Sequence, residues 1–288
     1  MEMKPTILIH PDRCIRCGKC ARVCPDGILQ QESPKAAIQV ARAEHCIGCG
    51  HCVDVCPERA LEHSLFPAEK IHPIDYALMP SAQQVMALLQ ARRSNRTLTG
   101  KPIPMEVLKQ VVEAANYAPT ATNSQLLSYT LVTDPARMRE VADFTIRVFD
   151  RIANLLLHPV VKCVLKPFLK DLYSYAPMFK QLKADHEAGK GPVLRHASAL
   201  LFIHTPKSNR FGSEDANLAY QNASLMAQSL GVSQIDMGFV LSAIQQKPGE
   251  LEKLLGIDGQ VKAIMALGYP AFQYANRVDR KPVSLRIV

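Results

Sequence analysis

Four cysteines fall within eleven residues at Cys14, Cys17, Cys20 and Cys24, and the pattern returns 32 positions later at Cys46, Cys49, Cys52 and Cys56. Pro25 and Pro57 follow the last cysteine of each set, so both runs read C-x2-C-x2-C-x3-C-P. Nothing else in the chain restricts its fold as strongly, because an internal repeat of this kind organises its segment around ligands. The opening residues show no basic segment followed by a long apolar run, so a cytoplasmic location is expected. Thiols stay reduced there, and clustered cysteines then read as metal ligands before disulfides. The ninth cysteine, Cys163, stands alone in the apolar stretch HPVVKCVLKPF and is expected to be a buried small hydrophobe.

Over about residues 5–62 the segment resembles a two-cluster bacterial ferredoxin. The resemblance implies two [4Fe–4S] clusters with crossed ligation. Cys14, Cys17, Cys20 and Cys56 would hold one, and Cys24, Cys46, Cys49 and Cys52 the other. Three thiolates two residues apart suit a loop wrapped on one corner of an iron–sulfur cube, and Gly18 and Gly50 permit its turns. Structural zinc is the alternative, but zinc sites usually take two ligand pairs from two loops.

The remaining two hundred residues need a different account. At 288 residues, nearly half of them hydrophobic, the chain has room for a small domain and a larger one. Residues 1–62 form the expected ferredoxin-like domain. Residues 63–80, rich in proline and without period, are the expected linker, and 81–288 the large domain. Ser81 is placed to cap a helix through AQQVMALLQARRS, and a second helix starts at Pro104. Val107, Leu108, Val111, Val112 and Ala115 fall on one face of it. LLSYTLVT, ASALLFIHT and VKAIMALGY read as strands. DANLAYQNASLMAQSLG reads as a helix ended by Gly231. Long helices between strands imply an α/β or α+β fold with a central sheet covered on both faces. No apolar run approaches the length of a membrane span. The net charge of +8 is dispersed along the chain without a nucleic-acid motif, so no nucleic-acid partner is expected.

Three stretches in order, RRSNRTL, APTATNSQ and ALGYPAFQYANRVDRKP, make residues 80–288 resemble the nitroreductase family of flavin enzymes. The resemblance implies a nitroreductase-like α+β fold, a bound FMN and a homodimer. Arg92, Arg93, Ser94 and Arg96 would meet the FMN phosphate, ribityl and pyrimidine edge, where a guanidinium offers a permanently charged fork of donors. Pro119, Thr120, Asn123 and Gln125 would meet the flavin of the partner subunit. The main chain of Met237 and Gly238 would face flavin N5, and Arg277, Arg280 and Lys281 the phosphate. Many relatives carry Pro-Trp after the glutamine, where this chain has Leu126-Leu127. Residues 145–195 read as proline-interrupted helices, either a substrate-selecting cap or extra dimer packing, and no general acid is identifiable.

The expected function is an FMN-dependent oxidoreductase. Electrons would pass from two [4Fe–4S] clusters to FMN and on to a small organic acceptor such as a nitroaromatic or quinone. Ferredoxin is one possible donor. An NAD(P)H-driven reductase of the same fold, or an electron carrier or redox sensor without a small-molecule substrate, stays open beside it. No G-x-G-x-x-G is present.

Overall fold

The structure, a computed structural model, describes residues 5–288 apart from 167 and 169. It divides into two compact units. One runs to Met79 and takes in Ala121–Ser124; the other holds Pro80–Thr120 and Gln125–Val288.

In the first unit the cysteine repeat becomes a structural repeat. Strand β1 (Ile7–Ile9) leads to helix α1 (Lys19–Val23), then strands β2 (Leu29–Gln30) and β3 (Gln39–Val40). Helix α2 (His51–Asp54) and strand β4 (Leu61–His63) follow. β1 pairs antiparallel with β4 and β2 with β3. Gly18 and Gly50 precede α1 and α2 at φ of 72° and 77°, a left-handed backbone that side chains resist. Ile7, Ile28, Leu29, Val53 and Leu61 form a small core, against which Cys20, Cys24, Cys46 and Cys52 pack. The residues expected as a linker carry local order: His63 ends β4, and single 3-10 turns lie at Ala68–Lys70 and Tyr76–Leu78.

The second unit begins with α3 (Ala82–Ala91), closed at its start by a capping box between Ser81 and Gln84. Helix α4 (Met105–Asn116) follows, with Pro104 just outside it. The rest runs β5 (Ser128–Val132), α5 (Pro135–Leu157), α6 (Pro159–Leu165), α7 (Lys170–Glu187), β6 (Ala199–Thr205) and α8 (Gly212–Ser229). β7 (Ser233–Asp236), α9 (Gly238–Gln246), α10 (Glu250–Leu255) and β8 (Gln260–Gly268) complete it. The four strands lie in the order β5-β6-β8-β7, every neighbour antiparallel. This makes the fold α+β, as expected.

The sheet is covered on both faces. Leu200 and Phe202 of β6 join α5 and α9 in one core, while Ala199, Leu201 and Ile203 join α4 and α8 in another. Alternation along one strand thus serves two cores, so β6 is buried at every position. Gly231, at φ 73°, follows the end of α8 as expected. Residues up to Ala153 in α5 are buried in the first of these cores, so the start of the 145–195 segment is core helix. Cys163 departs from expectation. It is exposed on α6, a short helix on which Val160 is also exposed.

Candidate functional site

In the first unit the cysteines fall into two electrostatic groups. Burial raises the Cys20 thiol, and the charges of Cys56, Cys14 and Cys17 raise it further. Cys52 is pushed up to about 12, first by burial and then by Cys46, Cys49 and Cys24. Each group therefore takes its fourth cysteine from the other run. One cavity is lined by Cys24, Cys46, Cys49 and Cys52 together with His63.

Backbone N–H groups are already aimed at these sulfurs. Ile28 N–H donates to Cys24 Sγ at 3.2 Å, Ala60 N–H to Cys56 Sγ at 3.3 Å and Gly48 N–H to Cys46 Sγ at 3.4 Å. Neutral buried thiols need no such donors, whereas thiolates do, so the arrangement fits an iron–sulfur group that supplies balancing positive charge. Among the described residues no three His, Cys, Asp or Glu side chains come together to hold one metal ion. A cube binds its four thiolates through four different irons and needs no such approach.

In the second unit several of the residues expected at a flavin lie around β7. Arg92 closes α3, its N–H on the Leu88 carbonyl, and the chain then turns extended. Ser94 pairs in parallel with Gln234 of β7. Thr99 N–H donates to Tyr269 O and Ala271 N–H to Thr97 O, so the RRSNRTL segment is laced to the chain after β8. Side chains alternate along an extended segment. Arg93 and Asn95 line a cavity with Phe272 and Arg277, and Asn95 is buried, accepting from Thr97 N–H. Arg93 Nη1 donates to the carbonyls of Gln90 and Arg92, so its guanidinium caps its own helix. Arg92 and Ser94 are half-buried, and Arg96 is exposed.

Sequence reasoning missed Tyr220 and Gln234. The Tyr220 hydroxyl donates to Gln234 Oε1, and Gln234 is almost fully buried. Burial raises the Tyr220 pKa, the Asp236 charge raises it further, and the Arg92 charge lowers it, which brings all four residues into one neighbourhood. Partial burial also raises Asp236. A tyrosine within an apolar helix and a glutamine in a four-residue strand carry no sequence signal of this kind.

The main chains of Met237 and Gly238 differ in what they can offer a ligand. Met237 N–H donates to the Ile264 carbonyl at 3.0 Å, so it is not available to a ligand. Gly238 opens α9, where N–H groups have no partner within the helix. A side chain placed there would meet no atom, so the approach to its backbone is open. A helix N-terminus fits the anionic and electron-rich edges of a flavin.

The APTATNSQ loop is unusual in backbone. Thr122, Asn123 and Gln125 all lie at positive φ, near 50°, and none is glycine. Thr120 Oγ1 accepts from Gln125 N–H at 3.0 Å, while Pro119 and Gln125 are exposed. Asn123 belongs to the first unit, and its Nδ2 donates to the carbonyls of Gly48 at 2.9 Å and Ile47 at 3.1 Å. Arg277 pairs with Asp279 at 3.1 Å. Arg280 and Lys281 lie exposed on the tail after β8, and no described contact brings them to Arg92.

Known proteins agree with this architecture. Residues 89–269 match the nitroreductase family, and residues 6–57 match a 4Fe-4S dicluster domain. The chain is 25% identical over 197 residues to the FMN reductase [NAD(P)H] of Bacillus subtilis (strain 168), covering 67% of this chain and 69% of that protein. It is 27% identical over 200 residues to the NADH dehydrogenase of Thermus thermophilus, covering 68% and 90%. Among solved structures, a nitroreductase with bound FMN from Bacteroides fragilis has the same fold, with a TM-score of 0.52 at 22% identity, over 71% of this chain and 98% of that one. The chain belongs to the nitroreductase family and is an FMN-dependent oxidoreductase with a 4Fe–4S dicluster domain ahead of the flavin domain.

Proposed function

We propose that this chain is a reductase in which electrons pass from two [4Fe–4S] clusters to FMN and then to a small organic acceptor such as a nitroaromatic or quinone. The observation that carries the reading is the pairing of two cysteine groups, each completed from the other run, with a flavin-type site around β7 in the same chain. When bound, the clusters supply single electrons and FMN collects two and delivers them to the acceptor. The protein orients and tunes. Cys14, Cys17, Cys20 and Cys56 hold one cluster; Cys24, Cys46, Cys49 and Cys52 hold the other. Arg92, Ser94 and Arg96 hold the anionic end of FMN, with Arg280 and Lys281 joining from the tail. The Gly238 N–H faces the flavin ring. The iron–sulfur domain spans 1–62 and the flavin domain 81–288.

We also infer a two-fold homodimer, in which Thr120, Gln125 and their loop complete the partner's flavin pocket. Support comes from apolar side chains left exposed on the single chain. No residue of α3 is buried, and Val85, Met86 and Leu89 are exposed on it. Val283, Leu285 and Ile287 are exposed on the tail.

The names of the two relatives favour a second donor, NAD(P)H in place of a reduced ferredoxin. Anaerobic stopped flow separates the two. Protein is mixed with NADPH, NADH or reduced ferredoxin while flavin absorbance is followed. Fast bleaching by ferredoxin alone supports delivery through the clusters. Fast bleaching by a nicotinamide in protein stripped of its clusters supports direct reduction of the flavin. Chemical analysis of anaerobically purified protein tests the cofactor reading itself: bound zinc, or iron near four per chain, contradicts it.

A further inference from the structure

His63 ends β4 and is 4% exposed. Its Nε2 lies 3.5 Å from Cys46 Sγ. Its Nδ1 accepts a hydrogen bond from Leu65 N–H at 3.2 Å. A ring nitrogen that accepts carries no proton, so the proton sits on Nε2 and points at the sulfur. The ring cannot easily turn away. His63 is in register with Ile7 of β1, bridges to Phe66, and its ring lies 4.9 Å from that of Phe66.

The other half of the repeat lacks this arrangement. The 32-residue shift that carries Cys14 onto Cys46 carries Gln31 onto His63. Gln31 Nε2 instead donates to the carbonyls of Ala36 at 2.8 Å and Arg16 at 3.1 Å. Among the described hydrogen bonds none reaches Cys14 Sγ, whereas the donors to Cys24 and Cys56 are equivalent in the two halves. Cys17 of the first set is exposed to water, but every cysteine of the second set is partly buried. One added electron makes a cluster and its thiolates more negative by one charge. Burial disfavours that form, and an N–H aimed at a thiolate favours it.

We propose that His63 is a redox-tuning residue, whose Nε2–H on the Cys46 thiolate raises the reduction potential of the cluster held by Cys24, Cys46, Cys49 and Cys52. The inference rests on the two-cluster reading above. It assigns the two halves of a near-symmetric repeat different electronic settings, with the Gly48 N–H on Cys46 Sγ acting in the same direction.

The test uses the full chain, purified anaerobically with its clusters and FMN, as wild type and His63→Phe. Phenylalanine keeps an aromatic ring beside Phe66 and removes the donor. Iron and sulfide are measured first, then both clusters are titrated by EPR at controlled potential. The expected result is two clusters in each protein, with reduction of one about tenfold less favourable in His63→Phe. Tenfold is ~59 mV lower for a one-electron couple, and the other cluster is unmoved. A second measurement needs no variant: wild type with 15N-labelled histidine should show a nitrogen hyperfine coupling on one reduced cluster. Two intact clusters with unmoved potentials, or no such coupling, overturn the role of His63 while the cluster reading stands. A wild-type chain with fewer than two clusters overturns the cluster reading and this inference with it.

Discussion

Arg92 and Arg93 are adjacent and chemically identical, yet the fold gives them different surroundings. Arg92 lies close enough to Tyr220 for its charge to be felt there, while Arg93 is turned onto the carbonyls ending α3. Arg92→Ala should weaken FMN binding by about 1.5–3 kcal/mol, the usual cost of a lost charge-assisted hydrogen bond. Arg93→Ala should leave FMN affinity almost unchanged. Fluorescence titration of the flavin-free protein with FMN measures both, and equal losses would contradict the division. The cysteines allow a similar comparison. Cys24→Ser should damage the cluster built on Cys46, Cys49 and Cys52 and leave the one built on Cys14, Cys17 and Cys20. EPR of the reduced protein reads this out, and the opposite pattern would reject the crossed ligation. The cysteines were legible because their spacing is a local property. The split between Arg92 and Arg93 was not, because it depends on where α3 stops.

At the scale of elements, α5 and α7 are joined by charge as well as by apolar contact. Asp150 of α5 meets Lys180 at 2.8 Å and Lys183 at 3.1 Å on α7, and Phe149 stacks on Phe179. The Lys180 hydrogen bond holds the Asp150 carboxyl below its usual 3.8, with that of Lys183 adding to it, against an opposing effect of burial that is second in size. A lowered carboxylate stabilises the fold above its unfolded value, and that contribution is lost as pH falls through the folded value. Asp150→Asn should therefore be less stable than wild type near neutrality, and the gap should close in acid. Urea unfolding followed by circular dichroism at several pH values measures the difference, with cluster loss in acid common to both proteins. A gap independent of pH would refute the role of the ion pairs. The sequence pattern showed helices interrupted by prolines here, but pairing of α5 with α7 depends on how the chain returns on itself. Gly259 illustrates the same limit at the start of β8. It sits at φ 95°, and a side chain there would run into the Thr205 carbonyl. Gly259→Ala should destabilise the domain by about 1–3 kcal/mol, visible as a lower urea midpoint.

For the whole molecule, the decisive property is assembly. The exposed apolar residues of α3 and the tail should be covered by a second copy, since an interface that completes a ligand pocket is obligate and apolar. Met86→Glu combined with Leu89→Glu should yield monomers that lose FMN. Sedimentation at low concentration, with flavin absorbance followed in the same cell, tests this. A wild-type monomer that keeps its FMN would refute the shared pocket. No helix among the described residues is long and apolar enough to cross a membrane.

The sequence alone determined whatever depends on neighbours along the chain. The cysteine spacing specified an iron–sulfur segment, Ser81 and Gly231 marked helix ends, and LLSYTLVT, ASALLFIHT and VKAIMALGY marked β5, β6 and β8. Tertiary structure decided what depends on distant partners. SQID becomes strand β7 only because the edge of β8 offers unpaired backbone, with Ser233 opposite Gly268. That strand brings Ser94 to Gln234 and places Gly238 at a helix start, after the Ile264 carbonyl has taken the Met237 N–H. Cys163 lies in an apolar stretch, yet its thiol is exposed. The contact of His63 with Cys46 likewise exists only after β4 pairs with β1 and the Leu65 N–H fixes the ring. Composition and spacing name the chemistry a segment supports, while hydrogen-bond partners are assigned only when the chain closes on itself.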